Sequence, residues 1–281
     1  MNSEIIYNEV IKELGPYLNN LDFGKIAKHN AGYLKYKKDP LYYFCHSEKK
    51  RFCMAADFIR SSIINSNDFY LDIGTFIPVV PLMIKKLGGR VEVVEKFSLY
   101  DNALQSVVDL MTSQGIEVHD LDIVYDDLSK ILTPAKYSFI TCQATIEHLC
   151  GSPLKLLSGI KTLLKPGGYL ILDTPNAASL AKRLIMFFKG IPFHSSYSSS
   201  YYSFDDFINS EYPFTGHNRE YTLRELKYIL IKKLGFKETE FELFNLRNFS
   251  DKKFNWKGKI VSLLSLFYRG WRDYIMCIVK K

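Results

Sequence analysis

From residue 69 onward the chain alternates short apolar runs with stretches whose apolar residues return every third or fourth position. The runs Phe69 to Ile73, Val91 to Glu95, Leu121 to Tyr125, Tyr137 to Cys142 and Tyr169 to Asp173 are each bounded by polar or turn residues, which predicts five strands. Between them, Val79 to Leu87, Ser98 to Met111 and Leu154 to Leu164 carry helical spacing. Lys165-Pro166-Gly167-Gly168 then ends the third helix, because proline cannot continue it and glycine accepts the left-handed turn into a strand. Strands alternating with helices predict an α/β fold with a mostly parallel sheet covered on both faces.

The flanks follow other patterns. Residues 1–68 contain helical patches (Ile5 to Leu18, Lys50 to Ile64) without a second strand series, and are expected to form a helical extension to a domain spanning 69–281. Residues 177–220, rich in Tyr, Ser and Phe, precede a helix at Thr222 to Leu234; a long segment of this kind inside a compact domain is expected to act as a lid or binding loop. Lys237 to Leu246 and Asp273 to Val279 predict two more strands that close the sheet at its C-terminal edge.

The 47% hydrophobic content of the 281 residues supports a substantial core and excludes a disordered chain. The start, MNSEIIYNEVIKEL, has none of the features of a signal peptide. Its longest apolar stretches, Leu184 to Phe188 and Ile260 to Tyr268, fall short of the roughly 20 residues that cross a bilayer. Five cysteines without a CxxC pair argue against a disulfide framework or a paired-thiolate zinc site, so a cytoplasmic protein is expected. The formal charge of +7 is scattered rather than striped, which fits an anionic small molecule as well as it fits a nucleic acid or a membrane surface.

Candidate chemistry begins at Leu71-Asp72-Ile73-Gly74-Thr75, where the first strand turns into a helix; ligands of open α/β sheets bind at such strand ends, and glycine lets them approach the backbone. Phe76 and Val79 stand where the dinucleotide fingerprint needs glycine, which disfavours a nicotinamide enzyme. Glu95, followed by Lys96, ends the second strand 21 residues after Gly74, at the distance where a carboxylate can accept both ribose hydroxyls. Asp126-Asp127-Leu128 follows the third run. Tyr137 to Leu149 ends in Glu147-His148-Leu149, Leu163 to Asn176 ends in Thr174-Pro175-Asn176, and Gly216 to Thr222 reads GHNREYT.

In this set the chain resembles the class I S-adenosylmethionine-dependent methyltransferases, specifically the type that acts on small molecules and sugars and carries Glu-His-Leu after strand four. The resemblance covers residues 69–279 and departs from the family at Phe76 and Pro78, where further glycines are usual, and at Ser138, where aspartate is common. It implies a Rossmann-like seven-stranded sheet flanked by helices, with a cap insert before the sixth strand, and S-adenosylmethionine as cofactor. It further implies that Asp72, Gly74, Thr75, Glu95 and Lys96 hold the cofactor together with Asp127 and Leu128 at the adenine and Cys142 and Gln143 at the methionine part.

For a hydroxyl acceptor the chemistry needs a base, and histidine suits that task. His148, beside Glu147, is preferred over His217, although either residue can equally be a packing histidine. Tyr201 and Tyr202, with Tyr197, offer flat faces to a substrate; Arg219 can hold an anionic group or pair with Glu220 or Asp205. Metal-dependent small-RNA methyltransferases present Glu-x-x-Glu-His and a later histidine; Ala144 stands where the first glutamate belongs, which argues against a metal ion here. The preferred expectation is O-methylation of a sugar or sugar-derived small molecule, with or without a phosphate, in a cell-surface polysaccharide or natural-product pathway. RNA ribose methylation is disfavoured by the lack of a basic stripe with interleaved aromatics. A non-catalytic binding protein would explain Phe76 and Pro78, and the MFFKG segment suggests contact with a membrane surface.

Overall fold

A computed structural model describes residues 2–62, 68–190, 209–246 and 256–281. Its centre is a seven-stranded sheet in the order β3-β2-β1-β4-β5-β7-β6. The strands are β1 (Phe69–Ile73), β2 (Arg90–Glu95), β3 (Glu117–Asp120), β4 (Tyr137–Gln143), β5 (Leu164–Pro175), β6 (Lys237–Phe244) and β7 (Tyr274–Lys280). The first five pair in parallel, whereas β7 runs antiparallel to both β5 and β6. This is the α/β sheet expected from the sequence, including the antiparallel pair at the C-terminal edge.

Burial follows position in the sheet. All seven residues of β4 are buried because helices cover both faces of a central parallel strand, while the first half of edge strand β6 is exposed. Ahead of the sheet come α1 (Ser3–Asn19), α2 (Phe23–Ile26), α3 (Pro40–Phe44) and α4 (Lys49–Ser61). Within the sheet region lie α5 (Val79–Lys86), α6 (Gln105–Ser113), α7 (Leu128–Ile131), α8 (Leu154–Leu163) and α9 (Leu180–Lys189). On one face, α5 and α6 share a core with α1, whose Ile6, Val10, Leu14 and Leu18 recur at helical spacing and are fully buried or nearly so. On the other, α8 buries Leu157, Ile160 and Leu163 against β4 and β5.

The sequence placed the third strand four residues too late. Strand β3 is Glu117–Asp120, whose register pairs Asp120 with Glu95, and the apolar run Leu121 to Tyr125 is a turn. The misreading has a physical cause: β3 lies at the sheet edge and is only half-buried, so it is polar, while the turn after it packs Leu121, Ile123 and Val124 against the core. The helix expected over Ser98 to Met111 is likewise split, with a 3-10 turn at Phe97–Tyr100 before α6. Among the described residues no helix is long and apolar enough to cross a membrane.

Candidate functional site

Strand order reverses between β1 and β4, and the crevice outside their carboxyl ends is where an open α/β sheet takes a ligand. Two adjoining cavities open there and share Tyr33, Gly74, Phe76, Ala144 and His148. The larger, about 390 Å³, is also lined by Glu95, Lys96, Asp122, Tyr125 and Thr145. The smaller, about 170 Å³, reaches Asp72, Thr75, Gln143 and His217 and is walled by Tyr36, Tyr43, Phe44 and Arg51 from the N-terminal helices.

The first turn is built for close approach. Gly74 has φ 81, and a Cβ there would sit 2.2 Å from Oγ1 of Thr145 on the strand-four turn. Behind it, buried Asp72 accepts hydrogen bonds from Thr75 Oγ1 at 2.6 Å, from Tyr70 and from Thr141, so the loop is fixed from below. Burial raises the Asp72 carboxyl above its ordinary value, partly offset by these donors. Part-buried Glu95 accepts the backbone N–H of Lys96 at 2.8 Å. Burial pushes its carboxyl up to about 7, against that hydrogen bond and with the charges of Asp72, Asp120 and Asp122 adding to the rise.

At the end of β4, Asp173 on β5 accepts from Gln143 Nε2 at 2.5 Å and from the Ala144 N–H at 2.9 Å, and pairs with Arg51 at 3.4 Å. These bonds hold Ala144 at φ 46, an uncommon conformation for a residue with a Cβ. Burial raises Asp173 to about 6 despite the Arg51 guanidinium.

The next turn, Ile146–His148, carries the titratable cluster. Asn218 and Arg219 donate backbone N–H groups to the Glu147 carbonyl at 2.7 and 3.1 Å, and Asn218 Nδ2 donates to the His148 carbonyl at 2.8 Å. This clamp brings His217 beside His148 across 69 positions of sequence, with ring centroids 4.9 Å apart. Nδ1 of His148 faces the Thr215 carbonyl oxygen at 2.5 Å, so it carries the proton and leaves Nε2 with its lone pair. Burial, with the neighbouring His217, pushes His148 down to about 3.

Nδ1 of His217 lies 2.9 Å from Glu220 Oε1, and the other Glu220 oxygen accepts from buried Lys182. Burial alone would raise Glu220, but Lys182 and His217 outweigh it and hold the carboxyl below its ordinary value. Glu147 is fully buried, with Oε2 accepting from Thr174 at 3.0 Å and Oε1 without a partner among the described residues. Burial raises it to about 7, with His217 opposing the rise. Ligand-capable atoms of Glu147, His148 and His217 lie within 4.8 Å of one another, so the three can share a proton or hold a cation.

Of the sequence-predicted residues, Asp72, Gly74, Thr75, Glu95, Lys96, Gln143, His148 and His217 line the two cavities. Glu147 lies behind them. Asp127 instead caps α7, accepting from Ser129, and Leu128 is core; the carboxylate that reaches the cavity beside Glu95 is Asp122. Cys142 is also core. Arg219 is exposed, lies outside both cavities and pairs with Glu225 at 2.9 Å rather than with Glu220. Tyr197, Tyr201, Tyr202 and Asp205 fall outside the described residues. Sequence reasoning missed Asp122, hidden in a run read as strand, and the N-terminal wall, whose Tyr33 stacks on Phe76 at 5.5 Å. The aromatic density of residues 33–44 was its only signal.

Residues 48–240 match the model of a family described as methyltransferase domain. The chain is 30% identical over 106 residues to a ubiquinone biosynthesis O-methyltransferase of Paraburkholderia phytofirmans; the match covers 38% of this chain and spans only 44% of that protein's length. Among solved structures, phosphoethanolamine N-methyltransferase 2 of Haemonchus contortus, in complex with S-adenosyl-L-methionine, aligns with TM-score 0.53 at 16% identity over 83% of this chain and 52% of that one. A geranyl diphosphate C-methyltransferase of Streptomyces coelicolor, in complex with Mg2+, geranyl diphosphate and S-adenosyl-L-homocysteine, aligns with TM-score 0.52 at 11% identity over 83% of each chain. At these identities the two structures bear on the fold alone.

Proposed function

Because the chain belongs to the methyltransferase-domain family, we propose that it transfers the methyl group of S-adenosylmethionine to a hydroxyl of a small ring-bearing molecule, a sugar or sugar derivative in the first place. The residues at the crevice fit the cofactor. Gly74 leaves a cradle that a Cβ would fill, and Glu95 and Asp122 offer carboxylates at one end of the larger cavity to ribose and adenine. His148 and Ala144 line both cavities and Gln143 the smaller one, so the reacting centre would lie where the two adjoin.

S-adenosylmethionine, when bound, supplies a methyl group on a positively charged sulfur. The protein's part is to align the acceptor oxygen with it and to remove the acceptor's proton. Orientation of His217 is the observation that carries this reading: Glu220 fixes Nδ1 as the protonated nitrogen, turns Nε2 into the acceptor and stabilises the cation that forms when it takes the proton. His148 is the weaker base, because burial and the adjacent ring hold it neutral. We assign it to orienting the substrate, its Nε2 accepting a hydrogen bond from a second hydroxyl beside the one that is methylated, with Glu147 as a proton reservoir behind both rings.

Tyr33, Tyr36, Tyr43 and Phe44 line the same cavity as the histidines and offer flat surfaces suited to a hydroxylated ring. That wall equally favours a phenol, the second reading, and the curated relative is named for ubiquinone biosynthesis. In this proposal the helices between residues 2 and 62 supply the wall; most of the segment expected from sequence to cap it, 191–208 of residues 177–220, lies outside the described residues. Titration with S-adenosylmethionine, followed by mass spectrometry of sugar and phenol panels incubated with labelled cofactor, tests it. Tight cofactor binding with label on a hydroxyl supports the proposal; no cofactor binding makes the chain a non-catalytic relative.

A further inference from the structure

We propose that α9 and the helix Trp256–Leu264 together form a docking face for an anionic lipid surface. The two helices pack on each other. On α9, Phe187 and Phe188 are 81% and 76% exposed. Along the other helix, Trp256, Ile260 and Leu263 recur at helical spacing on one exposed stripe, which Phe267, 82% exposed, continues. Single exposed apolar residues are ordinary, but bulky ones gathered on two touching elements are not.

Charge selects the occupant. Neither Leu180–Lys189 nor the stretch from Trp256 to Arg272 contains an aspartate or glutamate, although the chain as a whole has 30 acidic residues against 37 basic ones. Arg183, Lys257 and Arg269 are exposed around the apolar stripe. Large apolar side chains flanked by cations, with no anion among them, is the pattern of a helix lying in the interface of an anionic bilayer, where the rings enter the acyl boundary and the cations meet headgroups. A protein partner of acidic surface would not call for four bulky aromatic rings at the tips of the face, since charged surfaces leave them without apolar contact.

The face is tied to the crevice. Helix α9 starts five residues after Pro175 at the end of β5, and the Asn176 side chain donates to the carbonyls of Gly270 and Arg272 at 3.2 and 2.7 Å. A molecule docked this way holds its cavity next to the lipid, within reach of a membrane-held acceptor. Docking does not depend on the methyl-transfer reading, which cofactor titration tests separately.

The test is co-sedimentation of the full chain with vesicles of phosphatidylcholine containing about a third phosphatidylglycerol, and with pure phosphatidylcholine. Binding is expected to the anionic vesicles, to weaken with added salt, and to fall at least about tenfold in a Phe187→Ser/Phe267→Ser variant of unchanged melting temperature. Should that variant fail to fold, Lys257→Glu/Arg183→Glu, which keeps the rings, is expected to lose the preference for anionic vesicles. Equal recovery with and without vesicles overturns the proposal. So does a dimer that the serine variant dissociates while vesicles bind neither form, because the face is then covered by a second copy.

Discussion

Nδ1 of His217 faces Glu220 Oε1 at 2.9 Å, and the same carboxylate takes a hydrogen bond from Lys182, so the imidazole is held in one tautomer by a buried ion pair. His217→Ala is therefore expected to lower kcat by about 10²- to 10⁴-fold with cofactor affinity nearly unchanged. Glu220→Gln keeps the shape but removes the charge that stabilises the protonated ring, and should lose a smaller part of kcat. Melting temperature, cofactor Kd and rate per folded molecule, measured on each variant, separate chemistry from packing. If His148→Ala gives the rate-specific loss and His217→Ala does not, the base has been assigned to the wrong ring.

At Gly74 two costs add: a left-handed backbone and a Cβ 2.2 Å from Thr145 Oγ1. Gly74→Ala is expected to destabilise the protein by about 1–3 kcal/mol and to abolish cofactor binding. Adding Thr145→Ala removes the two closest contacts but leaves the Thr145 Cβ at 3.0 Å and the φ penalty, so calorimetry should show partial recovery of the melting temperature. Full recovery would mean that the backbone at 74 is unstrained.

Burial raises Glu95 to about 7, and in the proposed site the ribose hydroxyls would donate to its ionised form. A raised carboxylate is charged only above its folded value, so ligand binding that needs the charge releases a proton and strengthens as pH rises. Cofactor Kd is expected to tighten by up to about tenfold per pH unit below 7 and to level off above it. In Glu95→Gln the profile should be flatter and the affinity lower. The same dependence persisting in that variant would remove Glu95 from the cofactor site.

Asp122 lines the cavity whereas Asp127 caps a helix. Asp122→Ala should weaken cofactor binding with little change in stability. Asp127→Ala should lower the melting temperature, by loss of the helix cap, with cofactor affinity intact. Thermal melts with and without S-adenosylmethionine distinguish the two, and the reverse pattern would restore Asp127 to the site.

Glu147, His148 and His217 form a three-ligand cluster, yet Ala144 supplies no fourth side-chain ligand. Proton transfer through His217 needs no metal, so turnover in EDTA is expected to stay within about twofold of the untreated rate, far less than the loss of a general base. Loss of activity restored by a divalent ion would reassign the cluster as a metal site.

What the chain order determined is what lies close in sequence. The period of apolar residues marks β1, β2, β4 and β5 and the helices between them, because a central strand and the helix on it must both be apolar on their buried sides. Gly74 and Glu95 were legible for the same reason, since both sit at the end of such a strand. Tertiary structure decided the rest. Edge strand β3 buries too little to carry an apolar signature, so its position, and with it the choice of Asp122 over Asp127, depends on pairing with β2. The sequence favoured His148, beside Glu147, over His217; the exchange of roles proposed above was closed to it, because both are histidines in motif-like settings. That exchange rests on Glu220, three positions from His217, being anchored by Lys182, and on the Asn218 clamp to Glu147, the last two contacts bridging 38 and 71 positions of chain.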